Sequence, residues 1–99
     1  MTIKIQYVQM ATSEAMSEYV TKKLIRLGKK FEWIIKADVN FKHENFPKTK
    51  GKICNIELSL PGPRIFATSN EKNYELAVKE TIKDLTVQLK KRKEVFKTH

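Results

Sequence analysis

Ile3, Ile5 and Tyr7 alternate with Lys4 and Gln6. A period of two puts alternate side chains on opposite faces, so this segment predicts a half-buried strand. The period then lengthens. Met16, Val20, Leu24, Leu27 and Phe31 recur at steps of four, four, three and four, one apolar stripe along a helix. Thr12 or Ser13 stands where a side-chain oxygen accepts from the free N–H groups of the first turn. Glu14 follows at the positive end of the helix dipole. Gly28 lies inside the pattern and weakens the helix locally.

Ala37, Val39 and Phe41 alternate with Lys36, Asp38, Asn40 and Lys42 as a second strand. His43 to Lys52 is polar, with one proline and one glycine, and reads as a loop. Cys54, Ile56, Leu58 and Leu60 alternate as a third strand. Pro61-Gly62-Pro63 is a turn, because neither proline can donate to a ladder. Arg64 to Thr68 reads as a fourth strand, paired with the third as a hairpin. A final helix is expected from near Asn70 to about Phe96, with Tyr74, Val78, Ile82, Leu85, Leu89 and Phe96 as its buried stripe. The first helix is a crossover, so strands one and two should be parallel and joined right-handedly. The order β-α-β-β-β-α predicts an α+β, two-layer sandwich: a four-stranded mixed sheet with both helices on one face. No repeat or linker divides residues 1–99, which read as a single domain.

Charge adds what periodicity does not show. The formal net charge is +9 and the pI about 9.7. Lys22, Lys23, Arg26, Lys29 and Lys30 form an acid-free stretch of net +5. Lys90, Lys91, Arg92, Lys93 and Lys97, against Glu94, give +4. These two stretches hold the whole net charge, a segregation that points to a polyanionic partner. The single cysteine, Cys54, leaves no intrachain disulfide and fits a reducing compartment. The N-terminus lacks the apolar core of a signal peptide. No apolar run approaches the roughly 18 residues of a membrane span. A cytoplasmic protein with no membrane contact is expected.

On a helix, Lys72, Lys79, Lys83, Lys90 and Lys97 fall within roughly 40° of one another. Lys22, Lys23, Arg26, Lys29 and Lys30 flank the first stripe, with Tyr19 among them. If the helices lie side by side, these rows merge into one phosphate-neutralising surface. Glu71, Glu75, Glu80 and Asp84 interleave along Lys72 to Lys83, which therefore reads as a solvated face. Leu89 to Lys93 (LKKRK) is the densest cluster. Arg92 falls at the angle of the buried stripe there, as in a helix that has outrun its core. A basic helix C-terminus also complements the dipole. Catalysis finds little support. His43 and His99 stand apart, and no metal-ligand or nucleophile–base pattern is present. Asp38 and Glu57, expected on the open sheet face, read as solvated or ion-paired. Cys54 reads as core. Phe66 is one exposed aromatic, too few for a base-stacking platform, and Tyr7 has core phase.

Nearly the whole chain resembles the ribosome hibernation-promoting factors, also called sigma-54 modulation proteins or ribosome-associated inhibitors. The resemblance rests on SEYVTKKLIRLGKKF (Ser17 to Phe31), ADVNFK (Ala37 to Lys42), RIFATS (Arg64 to Ser69) and IKDLTVQLKKRK (Ile82 to Lys93). It implies a β-α-β-β-β-α fold similar to double-stranded-RNA-binding domains, and no catalytic activity or cofactor. It implies binding to the small ribosomal subunit, alone or in the 70S ribosome, through 16S rRNA in the decoding and messenger channel. There it would block tRNA and messenger and inhibit translation in stationary phase or stress, in many members favouring ribosome dimers. The positions matching the family's rRNA-contacting bases are Lys22, Lys23, Arg26, Lys29, Lys30, Lys90, Lys91, Arg92 and Lys93, with Lys79 and Lys83 as weaker matches. Two departures stand out. NYELAVK (Asn73 to Lys79) has Lys79 where an acid is common, and Arg92 stands where His or Tyr is frequent. The chain ends after the helix and so resembles the short type, expected to be monomeric off the ribosome. A generic module for duplex RNA is the alternative reading, since shape readout needs only suitably spaced bases.

Overall fold

The computed structural model describes residues 1–45 and 50–97. The chain runs β1 (Thr2–Tyr7), α1 (Glu14–Lys30), β2 (Lys36–His43), β3 (Lys52–Ser59), β4 (Ile65–Glu71) and α2 (Tyr74–Lys97). The strands form one sheet in the order β1-β2-β3-β4. β1 pairs with β2 in parallel, and the two later pairings are antiparallel. This is the mixed α+β sandwich that the periodicities predict. Both helices cover one face. There Ala37, Val39 and Phe41 of β2, Cys54, Ile56 and Leu58 of β3, and Ile65 and Ala67 of β4 pack against Val20, Leu24 and Leu27 of α1 and Ala77, Val78, Leu85 and Leu89 of α2. Each large side chain fully buried here contributes about 1.5–3 kcal/mol.

Ser13 is the cap of α1: extended in backbone, its Oγ accepts from the Met16 N–H at 3.2 Å. The Tyr7 hydroxyl donates to the Ser13 carbonyl at 2.7 Å and ties the end of β1 to the start of the helix. α1 runs unbroken through Gly28, where any Cβ would come within 2.8 Å of the Met1 methyl. Glycine here lets the N-terminal methionine lie against the helix.

Three expectations need correction. α2 begins at Tyr74, not near Asn70. Asn70 and Glu71 extend β4 instead. The Asn70 side chain accepts from the Gly51 N–H at 2.7 Å and donates to Glu44 Oε2 at 3.3 Å, so contacts distant in sequence hold it in the strand. Asn73 then caps the helix, its Oδ1 accepting from the Leu76 N–H at 2.7 Å. Lys72 consequently lies ahead of the helix and drops out of the lysine row. Second, His43 and Lys52 belong to strands rather than to the loop between them. Residues 46–49 of that loop, and His99, lie outside the described residues. Third, Phe96 is 41 % exposed, whereas Ala77 and Thr81 are buried. Thr81 is tolerated there because its hydroxyl donates to the Ala77 carbonyl at 2.8 Å.

Topology fixes the direction of the helices. α1 returns the chain from the end of β1 to the start of β2. β4 runs parallel to β2, since two antiparallel pairings separate them, and α2 returns from its end in the same way. The helices are therefore parallel, and both C-termini point to the pole that carries the Pro61–Pro63 turn. α2, with 24 residues, is about 36 Å long, while an eight-residue strand spans about 26 Å. The helix outruns the sheet, and its last buried residue is Leu89.

Candidate nucleic-acid interface

Parallel helices bring the two basic stretches to one pole, although some sixty residues of chain separate them. On α1 the buried stripe is Val20, Leu24 and Leu27. At 100° per residue, Lys22, Arg26 and Lys29 point roughly opposite that stripe, and Lys23 and Lys30 lie on one flank of it. Lys23 is half-buried, with its Nζ 5.4 Å from the centre of the Tyr19 ring. The Lys30 Nζ lies 5.7 Å from the centre of the Phe31 ring. Both rings hold an ammonium over a negative π-face.

On α2, Lys79, Lys83, Lys90 and Lys97 point roughly opposite the buried stripe, and Lys93 lies to one side of it. Gln88 and Arg92 lie on the side towards β4. There the Gln88 Nε2 donates to the Phe66 carbonyl at 3.0 Å, and the Arg92 Nη1 donates to the Pro61 carbonyl at 3.1 Å. Arg92 is thereby turned towards the hairpin, away from the lysine row. Its position at the angle of the buried stripe thus marks a contact with the β3–β4 turn.

The end of α1 and the last turns of α2 meet at a cleft of about 370 Å³ lined by Lys30 and Phe31 of the α1 end and by Lys90, Lys91, Lys93, Glu94 and Lys97 of α2. Lys79 and Lys83 continue the row up the helix, exposed, outside the cleft. Lys22, Arg26 and Lys29 form a separate outward-facing row on α1. Lys29 also borders a smaller cleft of about 220 Å³ beside Met1, Ile3 and Ile25. Among the described residues, the ion pairs are Lys36–Asp38 and Arg64–Glu57, each at 3.5 Å, and none involves a base of either helix. Among the described residues, no carboxylate lies within ion-pair distance of these ammonium groups.

Sequence pattern alone misses two members of this region. Trp33, in the α1–β2 connection, meets the Phe96 ring edge-on at 5.0 Å and the Phe31 ring at 5.8 Å. Trp33 lies outside both regular elements, so no periodicity marks it. Phe31 is legible as core, but its place in the cleft depends on the packing of α2.

The remaining candidates are structural. Asp38 and Glu57 are direct cross-strand partners on the open sheet face, and each is occupied by its own base. Burial pushes the Cys54 thiol up to about 12, so it is protonated and unreactive at neutral pH. Phe66 is 66 % exposed on the open face, and Tyr7 stacks on Phe41 at 5.0 Å. No helix among the described residues is long and apolar enough to cross a membrane.

Comparison with known proteins places these features in context. The profile of a family described as sigma 54 modulation protein / S30EA ribosomal protein matches residues 3–97. The fold is similar to that of a ribosomal subunit interface protein from Coxiella burnetii: TM-score 0.83, 30 % identity, covering 95 % of this chain and 99 % of that one. It is also similar to the N-terminal domain of Protein Y from Thermus thermophilus, with TM-score 0.78 and 24 % identity, covering 92 % of this chain and 98 % of that one. No curated protein matches the chain.

Proposed function

The chain belongs to the sigma 54 modulation protein / S30EA ribosomal protein family, and on that premise we propose that it is a cytoplasmic ribosome hibernation factor. It binds the small subunit through 16S rRNA, lies in the decoding and messenger channel, and silences translation in stationary phase or stress by excluding tRNA and messenger. It acts by occupancy rather than by catalysis. The whole chain is the binding domain, and it is a monomer off the ribosome. The observation that carries this reading is the junction of two lysine rows, from helices far apart in sequence, at one cleft-bearing pole. The similarity to a protein named for the ribosomal subunit interface supports it.

Phosphates of a folded RNA lie at close, fixed spacings, and a row of ammonium groups displaces their counterions on contact. Lys30, Lys90, Lys91, Lys93 and Lys97 supply the contacts around the cleft. Lys22, Lys23, Arg26 and Lys29 supply those of α1, and Lys79 and Lys83 extend them along α2. Arg92 contributes mainly by fixing the helix end, since its guanidinium is already engaged by Pro61.

Sedimentation with purified 30S subunits in rising salt tests the proposal. The expected logarithm of affinity falls linearly with the logarithm of salt, by roughly 0.7 to 0.9 for each phosphate neutralised. Replacing Lys22, Lys23, Arg26 and Lys29 together by Gln should reduce both affinity and slope. Salt-independent binding, or undiminished binding by that variant, would sink the phosphate-contact mechanism. Equal affinity for a plain RNA duplex would instead mark a generic duplex-RNA module.

A further inference from the structure

The last turns of α2 form a helix under unfavourable conditions. They extend past Leu89, the final buried residue. Lys90, Lys93 and Lys97 lie three and four residues apart, the spacings at which like charges repel along a helix. As the end of a helix beyond its packed part, it is the segment most prone to fray. Contacts on both sides tie it down. On the β4 side, Arg92 donates to the Pro61 carbonyl at 3.1 Å. On the α1 side, Phe96 meets Trp33 edge-on at 5.0 Å with an interplanar angle of 80°. Trp33 rests in turn on Phe31, at 5.8 Å and 73°, and Phe31 is 2 % exposed. An aromatic chain Phe31–Trp33–Phe96 thus hangs the end of α2 from the core, beside the lysine cleft.

We infer that Trp33 and Phe96 are positioning residues for polyanion binding, holding Lys90, Lys93 and Lys97 opposite Lys30 without touching the ligand themselves. This rests on the proposed rRNA-binding role. The exposure of Phe96 fits it: the ring serves the helix end, not the core under the sheet. Mutually repelling lysines fixed in advance can engage several phosphates at once. Frayed lysines would have to be ordered at the moment of binding, which weakens it.

The test compares the wild type with Phe96→Ala and Phe96→Tyr. It reads amide hydrogen exchange, the emission of Trp33 (the sole tryptophan) and 30S affinity against salt. Phe96→Ala should leave protection at Leu85 and Leu89 intact, lower it over residues 94–97 and shift Trp33 emission to the red. Affinity near 0.1 M salt should fall roughly tenfold or more, with the salt slope shallower by about 2. Phe96→Tyr keeps the ring and should restore all of these. Wild-type affinity and slope in Phe96→Ala would overturn the inference. So would weaker binding at an unchanged slope, which marks a local packing loss only. Unchanged exchange over residues 94–97 would overturn it too, even without any ribosome. A wild-type protein that does not bind 30S subunits would instead remove the rRNA-binding role itself.

Discussion

Lys93 offers a perturbation in which stability and binding should move in opposite directions. It has Lys90 three residues before it and Lys97 four after it, and it lines the cleft opposite Lys30. Lys93→Glu turns two like-charge helical pairs into opposite-charge pairs. Each pair is worth about 0.2–0.5 kcal/mol in either sense, so the swing is about 1–2 kcal/mol. Exchanging a cation for a carboxylate also reverses a dipole term; Lys93 stands just ahead of the last turn, so the term is at the low end, roughly 0.3 kcal/mol each way, and removes about 0.6–0.8 kcal/mol. The net is a gain of about 0.7 kcal/mol at low ionic strength. For a domain of this size that raises the melting temperature by about 3–6 °C. The gain should vanish near 1 M salt, where screening acts over about 3 Å. The same variant should bind 30S subunits more weakly, having lost a cation and placed an anion in the cleft. Calorimetric melting at low and high salt, beside sedimentation with 30S subunits, measures both halves. A melting temperature that stays level or drops at low salt would refute the reasoning, because these lysines would then not be opposing one another.

Gly51→Ala should destabilise the domain by about 2–3 kcal/mol in urea titration, since a side chain is strained at its φ of +125°. The new Cβ would also collide with the Glu44 carbonyl oxygen in the latch that joins β2, β3 and Asn70. Cys54 makes alkaline pH informative. Its thiol ionises near 9.0 in an unfolded chain and near 12 in the folded one. Above pH 9 the unfolded state therefore binds fewer protons than the native state, and stability falls as pH rises. The difference in unfolding free energy between wild type and Cys54→Ala should shrink by about 1.4 kcal/mol from pH 8 to 10. A constant difference would show that the thiol is not shielded.

Most of the sandwich is legible because its elements keep a clean period. Ala37, Val39 and Phe41 in β2 and Val20, Leu24 and Leu27 in α1 are buried where alternation and helical spacing put them. Legibility fails where distant contacts outweigh local pattern. Asn70 looks like the opening of a helix, yet Gly51 and Glu44 hold it in β4. Thr81 looks polar by type but is buried, since its hydroxyl bonds its own helix backbone. Phe96 keeps the phase of the stripe but lies beyond the sheet that would bury it. For the site, residue type and helical angle identify the lysines. Which flank of each helix meets the other follows only from packing. Trp33, with no periodic neighbours, becomes visible only through its rings.

Parallel helices also make the molecule electrically lopsided. Each helix points its negative end at the same pole, and side-chain ammonium groups there overwhelm it. The centre of positive charge is therefore displaced towards that pole, away from the centre of mass. In the field of a polyanion such a body experiences a torque before it makes any contact. It approaches lysine cleft first, so the encounter is biased towards the pose in which the cleft meets phosphate. Moving the same net charge evenly over the surface would keep the overall attraction and lose the alignment.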